Sequence, residues 1–401
     1  MNRIDRRRVL ARMAAGFTAA GLSLAAPLPL LAANVGRARI AKVEAFAVPR
    51  AIFVKVTADD GTAGWGEAGH SGGELVARVI RSELDKLYEG ADVFDGDGLW
   101  AKAYYETDEL GPGGLASQAL AGVDCALWDL RGKLLGLPVW ALLGGKVRSS
   151  FPVYGSFSRD IGRGAYMTPD QAARRAAEMV GEGFKAIKVR MAIREENADP
   201  ADDPTLPTAR AVRRAIGDAI PLYVDANNGY RAARAIQVGR ALHEELGVSA
   251  FEEPCAMHHY ASMAEVSDAL EIEIAAGEHE YTPFAFRDLL DHGRPDLINP
   301  DVSKLSGLTA ARHVASLAYL RDIPISVHNA RPTLLSAAHA HFVAWAETAS
   351  RPQEHPGAVR LAELWKYFPE PLLPQNGVFS VPDQPGLGLV PNEAAIRADA
   401  R

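Results

Sequence analysis

From Arg148 to about residue 360 the sequence alternates short apolar runs with longer helical ones, and no other feature limits the possible folds as tightly. The runs that read as strands are Phe184 to Arg190, Pro221 to Asp225, Ala250-Phe251, Glu273 to Ala276, Asp296 to Asn299, Ile323 to Val327 and a segment near Gln353. Between them lie helical stretches such as Pro169 to Val180, Tyr230 to Leu246, Pro283 to His292 and Leu308 to Arg321. Strands separated by whole helices must return by crossover, which makes them parallel β/α units. About eight such units favour a closed barrel over an open doubly wound sheet. No Gly-x-Gly-x-x-Gly follows a strand in this region, which argues against a dinucleotide site.

Ahead of the barrel, Ala51 to Thr57 and Gly64 to Glu67 read as strands around an Asp59-Asp60-Gly61 turn. From Leu75 to Leu143 the pattern turns helical, with Leu120, Val123, Ala126, Leu127 and Leu130 on one face. This predicts an α+β domain over 40–150, a β/α barrel over 151–360, and a tail, 361–401, that returns to the first domain. Residues 1–33 read differently. Arg6-Arg7-Arg8 precede an apolar stretch from Met13 to Leu31, broken by Pro27 and Pro29, and then Ala32-Ala33-Asn34. This order resembles a twin-arginine export signal, too short and interrupted to span a membrane. It predicts a periplasmic protein cleaved after Ala33, which amino-terminal sequencing would show.

The signal carries five arginines and one aspartate, so its removal moves the formal charge from −7 to −11. So acidic a chain makes a poor nucleic-acid binder, and no later segment is long and apolar enough to cross a membrane. An anionic substrate would have to be held by local cations. Cys125 and Cys255 lack the spacing of a zinc or redox motif and read as buried and unpaired.

Catalytic residues of a β/α barrel stand at the carboxyl ends of its strands. Here those ends read Lys188-Val189-Arg190, Asp225-Ala226-Asn227, Glu252-Glu253-Pro254, Gly277-Glu278-His279, the neighbourhood of Asp301, and Val327-His328-Asn329. A two-residue period aims Lys188 and Arg190 the same way. One acid at a strand end is as often a helix cap or an ion-pair partner as a ligand. Three on consecutive strands make an oxygen-only set suited to a hard divalent ion such as Mg²⁺, with Mn²⁺ as a substitute. His328 gains an orienting carboxylate in Asp301, which fixes its tautomer and raises its basicity. Lys188 is a base or an electrostatic clamp, whereas Arg190 keeps its proton and grips carboxylates.

Together these motifs resemble the mandelate racemase-type members of the enolase superfamily across nearly the whole chain after the signal. Gly64-Trp-Gly-Glu67, Ala121-Gly-Val-Asp124 through Leu127-Trp-Asp129, Gly132-Lys133 and Leu142-Leu-Gly-Gly145 are similar to the family's capping domain. The barrel and closing motifs are Asp225-Ala-Asn227, Glu252-Glu-Pro254, Gly277-Glu278, Pro300-Asp301 with Gly307-Leu-Thr309, Val327-His328 and Pro385-Gly-Leu-Gly388. The resemblance implies a modified (β/α)7β barrel with an α+β cap. It implies Mg²⁺ on Asp225, Glu252 and Glu278, with Glu253 as the alternative to Glu252. It also implies a His328–Asp301 acid/base dyad, Lys188 and Arg190 on the opposite face, and substrate contacts from Asn227 and Glu354. His279, after the third ligand in Gly277-Glu-His-Glu-Tyr281, is similar to acid-sugar dehydratases, rhamnonate-type ones among them, and the resemblance implies that it too contacts the substrate.

Arg190 departs from the family's second lysine, which puts two-base racemisation in doubt. A single base, His328, suffices to remove the proton alpha to a carboxylate and help a β-hydroxyl leave. The expected activity is therefore dehydration of a sugar acid to a 2-keto-3-deoxy acid. A racemase or epimerase is the nearest rival and a periplasmic acid-sugar binding protein a distant one; cycloisomerisation is less favoured. Specificity is assigned to the loops near Pro49 to Ile52 and His70 to Gly73 and to the acidic stretch Glu195 to Asp203. A homo-oligomer is expected on general grounds.

Overall fold

The computed structural model describes residues 38–69, 72–357 and 362–400, so the stretch 1–33 expected to be an export signal, His70 and Ser71 lie outside the described residues. Three antiparallel strands open the chain: β1 (Ile40–Val48), β2 (Ala51–Ala58) and β3 (Ala63–Ala68). Helices follow: α1 (Glu74–Val79), running on through a wider turn at Ile80–Leu84 into α2 (Asp85–Tyr88), then α3 (Gly96–Glu106), α4 (Leu115–Leu135) and α5 (Val139–Leu142). The long helix α4 lies directly on β3 because two glycines remove the side chains between them. A Cβ at Gly64 would sit 2.1 Å from the Ala126 carbonyl, and one at Gly66 would sit 2.3 Å from that of Gly122. With the glycines committed to that face, strand alternation turns Trp65 and Glu67 to the other, where Trp65 joins the barrel core.

The barrel begins with β4 (Ser150–Ser158), from whose end hangs a short hairpin, β5 (Asp160–Gly162) with β6 (Ala165–Tyr166). It continues as α6 (Pro169–Gly181), β7 (Ile187–Arg190), α7 (Thr205–Ile216), β8 (Leu222–Asp225), α8 (Ala232–Leu246), β9 (Ala250–Glu252), α9 (Tyr260–Ala269) and β10 (Glu273–Ala276). Then come α10 (Pro283–Asp288), β11 (Leu297–Ile298), α11 (Leu308–Tyr319), α12 (Leu334–Trp345) and β12 (Gln353–His355). Helix α6 starts where Pro169 follows Thr168, whose side chain forms a reciprocal capping box with Gln171. All the barrel strands from β4 to β12 pair in parallel, in the order β11-β10-β9-β8-β7-β4-β12.

One predicted strand, Ile323 to Val327, is reduced to a single parallel bridge between Ile325 and Ile298. Pro324 has no N–H to give the ladder. A side chain takes its place: Gln353 accepts from the Val327 amide at 2.8 Å and donates to the Ile325 carbonyl at 3.1 Å. The result is a seven-helix, eight-position barrel closed partly by a side chain, the modified (β/α)7β architecture. The tail contributes β13 (Val378–Ser380), which pairs antiparallel with β4 of the barrel rather than with the cap sheet. Beyond it the tail reaches the cap. The Leu387 amide donates to Asp129, and Glu393 in α13 (Glu393–Asp399) takes Lys55 at 2.8 Å. Cys125 and Cys255 are buried and free. No helix among the described residues is long and apolar enough to cross a membrane.

Three histidines of the barrel, His339, His341 and His355, are buried, and each accepts a backbone N–H through one ring nitrogen. That bond requires a neutral ring. For His341, burial pushes the pKa down to about 4. A histidine depressed in the fold contributes stability that is whole above its unfolded value near 6.5 and is lost as pH falls toward 4. His341→Asn keeps an acceptor and cannot titrate. Its stability deficit against wild type should therefore shrink by about 1.4 kcal/mol per pH unit below 6.5. Urea unfolding at pH 7 and pH 5 reads this directly, and a difference independent of pH would refute the assignment.

Candidate active site

The parallel barrel brings the carboxyl ends of its strands to one rim, and there the acids and bases meet. Asp225, Glu252 and Glu278, from the ends of β8, β9 and β10, are all buried and offer one oxygen each within 4.8 Å of one another. Lys188 at the end of β7 is itself buried. Its Nζ lies 2.8 Å from both Glu252 oxygens and 3.2 Å from Glu354 Oε1, with the ring of Tyr154 beneath. Arg190 Nε donates to Asp225 Oδ2 at 3.2 Å, and its Nη2 stands 3.8 Å from Glu278 Oε1.

Across the rim, His328 Nδ1 meets Asp301 Oδ2 at 2.8 Å. The other Asp301 oxygen accepts from the Ser303 amide and hydroxyl, so the carboxylate is held from both sides and the imidazole is turned with Nε2 outward. That nitrogen has no hydrogen-bond partner among the described residues and faces Glu278 Oε2 at 3.3 Å. Glu354, in β12, receives the Asn329 amide at 2.9 Å on Oε2, the oxygen that lies 4.0 Å from His328 Nε2.

Glu252 and Glu253 are both buried, although an extended strand would turn only one inward. The chain leaves the strand at Glu253, whose φ is +44°, and this sends the second carboxylate sideways. It accepts from Asn228 at 3.0 Å and meets His279 Nδ1 at 2.6 Å. Glu252 therefore joins the triad with Asp225 and Glu278, while Glu253, Glu278 and His279 form a second, overlapping group of metal-ligand type. Asn227 turns back on its neighbour. Its amide donates to Asp225 Oδ2 at 2.8 Å, and its Oδ1 accepts from Ala192 N at 3.0 Å.

Lys304 was not singled out from the sequence. Its Nζ donates to the Glu278 carbonyl at 2.9 Å and lies 3.6 Å from Glu278 Oε1. Its only signal was its place, three residues after Asp301 in the same strand-end loop.

Charge ties the cluster together. Burial raises Asp225 to about 6 and Glu252 well above the carboxylate range, against the pull of Lys188. At Glu278 burial acts the same way, but His328, Lys304 and Arg190 outweigh it and hold the group well below. At Glu354 burial is outweighed by Lys188, His328 and Arg190, which bring it down to about 2. Burial alone would lower Lys188, yet Glu252 and Glu354 hold it well above its usual value, as a cation. Among the described residues, six buried carboxylates (Asp225, Glu252, Glu253, Glu278, Asp301 and Glu354) thus face three fixed cations, Lys188, Arg190 and Lys304. An all-oxygen triad with negative charge to spare fits a hard divalent ion.

Comparison with known proteins agrees with this geometry. Residues 39–144 match the mandelate racemase/muconate lactonizing enzyme N-terminal domain, and residues 171–395 match the enolase C-terminal domain-like family. The chain is similar to a D-galactarolactone cycloisomerase of Agrobacterium fabrum, 33% identical over 86% of this chain and 90% of that one. It is also similar to a D-galactonate dehydratase of Ralstonia nicotianae, 30% identical over 87% of this chain and 90% of the relative. Among solved structures, a mandelate racemase/muconate lactonizing protein from Paracoccus denitrificans complexed with magnesium superposes with a TM-score of 0.85. It is 36% identical, over 91% of this chain and 98% of its own.

Proposed function

This chain belongs to the mandelate racemase/muconate lactonizing enzyme family of the enolase superfamily, and from that premise we propose that it is a Mg²⁺-dependent dehydratase of a sugar acid or related hydroxy acid. The observation that carries this reading is His328, fixed by Asp301 at 2.8 Å with its free Nε2 toward the Asp225–Glu252–Glu278 triad. The bound cation supplies Lewis acidity that makes the hydrogen alpha to the substrate carboxylate removable. His328 Nε2 takes that hydrogen, and Asp301 stabilises the imidazolium that results. The same imidazolium then returns a proton to the β-hydroxyl as its C–O bond breaks. Water leaves, and the enol product becomes a 2-keto-3-deoxy acid.

Lys188 and Arg190 flank the opposite face. Both are held as cations among carboxylates, so they clamp the anionic substrate rather than accept its proton. Glu354 accepts from a substrate donor, and Asn227 acts by holding Asp225 in place. With one base, elimination is favoured over racemisation.

A second reading follows from the similarity to a cycloisomerase. The same proton removal serves an elimination whose departing β-oxygen belongs to a ring: the Cβ–O bond breaks, the ring opens and the oxygen stays in the molecule through its other bond. Mass spectrometry of products from a panel of acid sugars and their lactones in D₂O separates the cases. A product lighter by one water is expected. A ring-opened product that has lost no water and carries one carbon-bound deuterium would make the chain a cycloisomerase. A substrate inverted and deuterated at its α-carbon would make it a racemase, and tight binding without turnover a binding protein.

A further inference from the structure

We infer that the capping domain sets the alignment of His328 and Asp301, through Glu67 and Asp124, two buried cap carboxylates that each grip the loop downstream of one member of the pair. The inference rests on the dyad assigned under Proposed function.

Glu67 stands at the end of β3 with its side chain fully buried. It receives Arg331 Nε and Thr333 Oγ1, and the Leu335 amide at 3.1 Å. Those donors lie three, five and seven residues after His328, the first two in the loop that leads into α12 and the third in that helix's first turn. Asp124, on α4, grips the other loop. It accepts the Thr309 amide at 2.9 Å and the Thr309 hydroxyl at 2.6 Å, capping the start of α11 eight residues after Asp301. Two cap indoles add to this second grip: Trp128 Nε1 donates to Thr309 Oγ1 at 3.0 Å, and Trp100 Nε1 to the Ser306 carbonyl at 2.9 Å.

The two grips converge. Arg331 Nη2 lies 3.5 Å from Ser303 Oγ, and that hydroxyl donates to Asp301 Oδ1 at 2.7 Å. A polar path therefore runs from the cap carboxylate Glu67 to the carboxylate that orients the base. Docking of the cap on the barrel alone needs no such arrangement, since apolar contact would hold the two as well or better. Buried charge is directed instead at the two loops that carry the reacting pair. Glu67 and Asp124 act as positioning residues: neither touches the triad, and each works through a loop.

The test compares Glu67→Gln, Thr333→Val, Thr309→Val and Thr333→Ser with wild type in the Mg²⁺-loaded full chain. A base misplaced by a fraction of an ångström slows only proton transfer, so for Glu67→Gln kcat should fall roughly 10- to 100-fold with KM nearly unchanged. The isotope effect of an α-deuterated substrate on kcat should rise. A partly misfolded preparation would lower kcat while leaving KM and the isotope effect as they were. Thr333→Ser keeps the donor and should restore wild-type behaviour, whereas Thr333→Val and Thr309→Val should show the loss in smaller measure even if Glu67→Gln does not fold. Crystal structures of the same variants read the Asp301–His328 separation without any turnover. Unchanged kcat and isotope effect in both valine variants, or an unmoved dyad in their crystal structures, would overturn the inference. If wild type exchanges no α-hydrogen with any acid tested, the proposed function falls by itself, and the crystal structures still decide the coupling.

Discussion

With excess chelator, turnover is expected to vanish, and with Mg²⁺ or Mn²⁺ restored above the chelator it is expected to return. Three buried carboxylates on three adjacent strands hold oxygens within 4.8 Å of one another, an arrangement that repels unless a cation offsets it. In the structure Lys188 and Arg190 supply part of that offset, with Lys188 bridging both oxygens of Glu252. They cannot supply the Lewis acidity that removal of an α-hydrogen needs. Because the ion binds only the assembled site, the thermal midpoint should rise with free Mg²⁺ as well. Glu252→Gln should weaken binding of the metal, measured calorimetrically, more than Glu253→Gln does, because Glu253 is taken by Asn228 and His279. Full activity in excess chelator, with no metal found in the protein, would remove the triad from the mechanism.

His328→Asn is expected to lower kcat about 10²- to 10⁴-fold, the usual contribution of a positioned general base and equal to roughly 3–5 kcal/mol of barrier. The asparagine keeps a polar group beside Asp301 and offers no nitrogen that can accept the α-hydrogen. Metal binding and the circular dichroism spectrum should be unchanged, which separates loss of the base from loss of the fold. Asp301→Asn should also reduce kcat, because an amide facing Nδ1 no longer fixes the tautomer that leaves Nε2 free to accept a proton. A loss of less than about tenfold in His328→Asn would mean that another group is the base. Lys188, on the opposite face, would then be the first to examine.

Much of the site could be read without coordinates because a parallel barrel imposes a simple rule. Every strand delivers its carboxyl end to one rim, so an acid or histidine at a strand end already has an address there. Asp225, Glu252, Glu278, Asp301 and His328 were found in this way, and the structure places all five at that rim. Lys188 and Arg190 share a face for an equally local reason, the two-residue strand period. The period failed at Glu253, where a positive φ ends the strand and buries both adjacent carboxylates in different directions. It failed again at Ile323 to Val327, where Pro324 withholds a ladder donor and Gln353 substitutes. Helix α12 carried no amphipathic signal because it is buried from Leu334 through Ala344 on every side.

The alternation of strand and helix, the acids and bases at the strand ends, and the excess of negative charge that any substrate site must overcome locally are all written in the chain itself. Each of these depends on neighbours in the chain. Which groups finally meet depends instead on how the chain closes on itself. Lys188 sits on Glu252 from 64 residues away, Asp124 grips Thr309 across 185, and Glu67 takes Arg331 across 264. Contacts at such separations have no period and no spacing to betray them. They form because burial leaves a carboxylate no water to turn to, and it must take whichever donor the closed fold brings within reach.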